Sequence, residues 1–222
     1  MKSATSLARA QARAREQRTR ILDAARRCFI RHGFHGASMA ELAKEAQMSP
    51  GLIYRYFDNK HHVVLAIIAQ QLQLVREEIG QLHGEADLLL PVFMDAFGGH
   101  PCHTNGMSPS LFLEISAEAS RDPTVATAVR DSDLALHQEF SKWLTRPREQ
   151  GGLALPTERA GQVMLIIQCL WEGLLVRQIR DPELDAAQLK AGLTLVLPLL
   201  LQPATTENRD RQGSTDRTGT PL

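Results

Sequence analysis

The sequence predicts an all-α chain of about nine helices, a small N-terminal three-helix unit with a helix-turn-helix followed by a larger helical body. Three observations carry this prediction. Apolar residues recur at helical spacing from Ile21 to Leu201, with Gly and Pro at the breaks. The stretch Ser38 to Lys60 reads as two short helices joined by a tight turn. Charge is divided along the chain: residues 1–60 hold 12 Lys+Arg and 5 Asp+Glu, residues 61–202 hold 10 and 17, and the last 20 hold 3 and 3. A basic head on an acidic body attracts phosphate at one end and repels it at the other.

Taken in order, residues 1–15 are rich in Ala, Arg, Gln and Ser and carry Lys2, Arg9, Arg13 and Arg15. They read either as a frayed helix start or as a basic arm of the kind homeodomain-type readers lay along a groove. Ile21, Leu22, Ala25, Phe29 and Ile30 form the stripe of one helix, about Glu16 to His32, which Gly33 stops. Ser38 with Glu41 three residues on is a capping box, and Met39, Leu42, Ala43 and Ala46 continue that helix to the turn at Gln47 and Met48. Ser49 can cap the next helix, and Pro50 suits its first turn, so the second helix is expected over about Pro50 to Tyr56. Its Tyr54, Arg55 and Tyr56 accompany only Leu52 and Ile53 as apolar anchors, a surface suited to a polar partner.

Asp58 or Asn59 can cap a long helix that follows Lys60 and runs to about Gly84. A shorter one is expected over Ala86 to Phe97, kinked or delayed by Pro91, and then the loop GGHPCHTNGMSP. Leu111 to Ser120, Asp122 to Leu144, Pro156 to Ile179 and Asp185 to Leu201 complete the helices. The last two are apolar around much of their circumference and need cover from the core and from a second surface, which a symmetric four-helix dimer interface supplies. The expected organisation is therefore 1–15 basic arm, 16–60 helix-turn-helix domain, 61–202 helical body and 203–222 a disordered polar tail.

The run from Ala46 to Lys60, AQMSPGLIYRYFDNK, resembles the signature of the TetR family of bacterial transcriptional regulators: Gly51, Tyr54, Tyr56, Phe57 and Lys60 fall where that pattern has them. Gln47 departs from it, because the family has Gly in the turn, where φ > 0 is adopted at little cost. The resemblance implies a homodimeric repressor of a palindromic operator, with an N-terminal DNA-binding domain and a ligand-binding and dimerisation body. It also implies a small-molecule inducer that moves the long helix after Lys60. The alternative is a helical DNA-binding protein without an effector.

For DNA, Ser38 belongs to the expected contact set at the entry to the motif. Ser49, Tyr54, Tyr56 and Lys60 are expected to hold phosphates, with Pro50, Gly51, Leu52 and Arg55 nearest the bases. The candidate pocket residues are Phe93, Phe97, Phe112, Ile115, Glu118, Phe140, Gln168 and Trp171, aromatic or polar positions in otherwise aliphatic helices, with plain core as the competing reading. Glu114 and Glu118, like charges at i,i+4, need partners, and one of them could face the cavity and pair a cationic inducer.

No cofactor and no metal are expected. His100, Cys102 and His103 lie too close together for the ligand spacings of structural zinc sites. Cys28, Cys102 and Cys169 are odd in number and scattered, which suggests no disulfide framework. No Gly-rich phosphate loop, Gly-x-Ser-x-Gly or His-Glu-x-x-His is present, so no enzyme is expected. No signal segment and no run long enough for a membrane span are read from the sequence, and a cytoplasmic protein is expected.

Overall fold

The computed structural model describes residues 2–81, 89–97 and 107–202, which contain nine α-helices and no strand. They are α1 (Lys2–Gly36), α2 (Met39–Glu45), α3 (Pro50–Ile53), α4 (Lys60–Gln81), α5 (Leu89–Phe97), α6 (Pro109–Ala119), α7 (Pro123–Thr145), α8 (Thr157–Arg180) and α9 (Ala186–Leu201). The His100, Cys102 and His103 loop and the 203–222 tail lie outside the described residues.

The caps explain most of the boundaries. Ser38 and Glu41 form the capping box reciprocally, and Asn59 accepts from His62 N at 2.9 Å at the start of α4. Ser108 caps α6, and Asp122 caps α7 by accepting from the backbone of Thr124 and Val125. Asp185 caps α9, which continues through Pro198 instead of breaking there. Helix α1 begins at Lys2, so residues 2–15 are helical in continuation of the expected first helix. Gly33 interrupts it with φ 69°. The left-handed conformation favours glycine, and a Cβ there would also press on the Glu114 carboxylate at 3.3 Å. Gly152 is also fixed by space, since any side chain would collide with the Arg146 carbonyl in the turn between α7 and α8.

Two apolar clusters form the interior. The first joins Ile21, Phe29, Leu42, Ile53 and Phe57 of the head to Val63 and Ile67 of α4, Leu111 and Ile115 of α6, and Val125 at the start of α7. The second lies among α5, α7, α8 and α9 and includes Phe93, Phe140, Trp143, Leu144, Val163, Leu174 and Leu197. Helix α6 packs on α1 at one side and on α7 and α8 at the other, so it bridges head and body.

By length and composition alone, helix α8 is long and apolar enough to cross a membrane. Its face bearing Ala160, Val163, Met164, Ile167 and Leu174 is buried in the second cluster, while Leu165 and Ile166 stay exposed.

Candidate nucleic-acid interface

Helices α2 and α3 present the helix-turn-helix. Ala46 closes α2, and Gln47 takes φ 53°, the left-handed conformation that the family's usual glycine adopts freely. Arg20 of α1 braces that residue, donating to the Gln47 carbonyl at 3.4 Å and to its side-chain Oε1 at 3.3 Å. Helix α3 is shorter than the sequence suggested. Its α-helical span stops at Ile53, and Tyr54 to Tyr56 continue as a turn with Arg55 N bonded to Leu52 O and Tyr56 N to Ile53 O. The buried anchors Ile53 and Phe57 seat this segment on the head, and the Arg18 guanidinium lies 4.5 Å over the Phe57 ring.

Around those anchors the outward positions are Ser49, Pro50, Gly51, Tyr54 and Arg55, all exposed, with Leu52 half-buried. The Ser49 hydroxyl makes no capping bond, and nothing lies within 4 Å of where a Gly51 Cβ would stand. Among the described residues Arg55 has no ion pair, whereas Arg27 and Arg31 are both held by Glu45 at 2.6 and 2.9 Å. Those two bonds, Arg27 first, hold the Glu45 carboxyl below its usual range. Tyr56 is half-buried and packs against the first cluster.

Two of the expected contact residues are engaged inside the protein. Ser38 Oγ donates to Glu41 Oε2 at 2.9 Å while accepting from Glu41 N, so its hydroxyl completes the capping box. The Lys60 ammonium donates to the carbonyls of Phe34, His35 and Ala37 at 2.9, 3.3 and 3.2 Å and sits 4.6 Å over the Phe34 ring. An ammonium has three donors, and here all three meet carbonyl oxygens at the end of α1. Without DNA, Lys60 thus bolts the end of α1 to the start of α4.

The expected pocket residues divide between two places. Phe93 and Phe140 are buried in the second cluster, with Phe97 and Trp171 packed against it, and the Phe93 and Trp171 rings meet edge-on at 5.5 Å. Gln168 donates to Glu172 at 3.2 Å, and Phe112 is half-buried. Ile115 and Glu118 do not join them, because their face of α6 turns toward the head. With Phe29, Phe34, Val64, Leu111 and Glu114 they line a small crevice of about 10 Å³, room for about one water. Glu114 accepts from Phe34 N at 2.9 Å, and Glu118 faces His35 at 3.2 Å and His61 at 3.6 Å. The partners these two glutamates needed, Phe34 N, His35 and His61, stand where α1 meets the start of α4.

That head–body junction, His35, His61, Glu118 and Asp122, was missed in the sequence. The spacing of a capping Asp four residues after Glu118 was visible, but the histidines lie more than 50 residues upstream.

A three-helix head with an outward helix-turn-helix, joined through one long helix to a helical body, defines a one-component regulator architecture. Residues 21–67 match the family model of bacterial regulatory proteins, tetR family. The chain is 31% identical over 172 residues to the HTH-type transcriptional regulator UidR of Escherichia coli K12, covering 74% of this chain and 83% of that one. It is 28% identical to the HTH-type transcriptional repressor AcnR of Corynebacterium glutamicum over 60% of this chain and 67% of AcnR. Among solved structures, Salmonella enterica GusR superposes with a TM-score of 0.64 at 24% identity, over 82% of this chain and 96% of GusR. The chain belongs to the TetR family of transcriptional regulators.

Proposed function

We propose that this chain is a homodimeric repressor that binds a palindromic operator and leaves it when a small molecule binds the body. The observation that carries the DNA reading is the outward edge of α3: Ser49, Tyr54 and Arg55 are exposed with donors unused inside the protein, on a backbone made approachable by Gly51. Arg55 reads base edges, Pro50, Gly51 and Leu52 lie beside it, and Ser49, Tyr54 and Tyr56 hold phosphates. Ser38 and Lys60 act through positioning. The helical arm of residues 2–15 projects exposed Arg9, Arg13 and Arg15 and adds phosphate attraction.

Repression is supported by the relative AcnR, which is named a repressor. Dimerisation is supported by α8 and α9, where Leu165, Ile166, Leu195 and Leu199 remain exposed although strongly apolar. Effector binding is supported by family membership, and the aromatic group Phe93, Phe97, Phe140 and Trp171 between α5, α7 and α8 is where we place the effector. Selection of duplexes from a random pool, followed by anisotropy titration at several salt concentrations, tests the reading. A palindromic consensus with affinity falling steeply in salt supports it; failure to enrich any duplex removes it.

A further inference from the structure

We propose that His61, Glu118 and Asp122 form a binding site for a divalent first-row cation of the zinc class, which pins the start of α4 to α6 and α7. One ligand atom from each of these residues lies within 4.8 Å of those from the other two. His61 Nε2 is 3.2 Å from Asp122 Oδ2 and 3.6 Å from Glu118 Oε1. Zinc bonds of about 2.0–2.2 Å in tetrahedral array set neighbouring donors roughly 3.3–3.5 Å apart, close to the separations of His61 Nε2 from both carboxylates.

Each donor is prepared by its surroundings. The Glu118 side chain is only 4% exposed, and its buried Oε2 has no hydrogen-bond partner although His35 Nε2 stands 3.2 Å away. A buried carboxylate is costly without a cation; Oε2 has one only when His35 is protonated, while Oε1 is the oxygen turned to His61. Asp122 divides its work: Oδ1 accepts from Thr124 N and Val125 N at the α7 cap, leaving Oδ2 free to turn to His61. His61 packs edge-on against Phe34 at 5.1 Å, which fixes the ring plane. His61 and Asp122 are both partly open to solvent, which gives the ion an entry path and a fourth position for water.

A plain imidazolium–carboxylate cluster is the rival arrangement, and metal binding separates the two. The full-length chain, stripped with chelator, is titrated with Zn2+ against a chromophoric competitor, and with Co2+ while the visible d–d bands are recorded. The expected result is one ion per chain at micromolar affinity or better and a rise in Tm on zinc addition. Glu118→Gln and Asp122→Asn, which keep shape and the α7 cap, should each weaken zinc at least tenfold and abolish the cobalt band. His62→Ala, whose imidazole pairs with Asp58 on the other side of the same turn, should leave both unchanged. Absence of saturable binding below about 100 µM overturns the proposal, as does unchanged affinity in both conservative variants, which would locate any bound ion elsewhere. This readout uses no DNA, so it stands or falls apart from the operator reading.

Discussion

Gln47 shows how one residue records a compromise. A left-handed backbone costs a residue with a Cβ about 1–2 kcal/mol relative to glycine, and the Arg20 bonds to Gln47 offset part of that. Gln47→Gly removes the strain but also a side-chain contact and some unfolded-state restriction, so a net gain of about 0.5 kcal/mol is expected. Thermal unfolding should show a small upward shift in Tm, and a fall would mean that the Arg20 brace outweighs the strain. On the proposed reading, Arg55 and Lys60 separate specificity from positioning. Arg55→Ala should reduce discrimination between a selected operator and scrambled duplex by about 10–100-fold, corresponding to 1–3 kcal/mol. Lys60→Met should lower Tm and weaken all duplexes together while leaving the salt slope unchanged, because no phosphate contact is removed. A flatter salt slope would restore Lys60 to the phosphate backbone. The sequence motif located Lys60 at a functional point but could not say which oxygens it faced. That depends on the carbonyls Gly33 exposes by ending the regular part of α1, and these come into reach only once α4 has docked.

At the level of elements, helix identity was legible wherever capping chemistry and apolar period agreed, as for Ser38, Asn59 and Asp122, whereas the Ser108 cap of α6 was read as part of the preceding loop. What the period could not give was which of two cores a helix face joins. Helix α6 has apolar residues at Leu111 and Ile115 that suit any core, and only the packing of α1 against it decides that its glutamates serve the head. The contact between α7 and α8 carries an electrostatic cost of its own. Burial, and then the nearby charge of Glu172, raise the Asp133 carboxyl to about 6. An acid with a raised folded-state pKa binds its proton more readily folded than unfolded, so stability declines as pH rises from about 4 to about 6 and is level above. Allowing for its partial solvent exposure, the penalty at neutral pH is on the order of 1 kcal/mol. Asp133→Asn should therefore raise Tm by about 2–4 °C at pH 7.5 and leave it unchanged near pH 3.5. An equal rise at both pH values would assign the effect to packing instead of charge.

For the whole molecule, the division into a basic head and an acidic body matters only if two heads are held at a fixed spacing. One short recognition helix offers few base contacts, and a two-fold pair doubles them without new chemistry. The exposed apolar residues Leu195 and Leu199 of α9, 71% and 65% accessible, are where that pairing is expected, because water contact there opposes the chain's remaining alone. Replacing both with Lys would put four cations into a two-fold interface, repelling across the axis and unpaired in apolar surroundings. Both positions point away from the second cluster, whose α9 members are Leu193, Leu197 and Leu201, so the helices themselves should survive. Light scattering should then report a monomer with unchanged far-ultraviolet circular dichroism, and operator affinity should fall by more than tenfold while weak, salt-sensitive binding to any duplex persists. A variant that stays dimeric would move the interface to another face, and a monomer that keeps full operator affinity would mean that one head suffices.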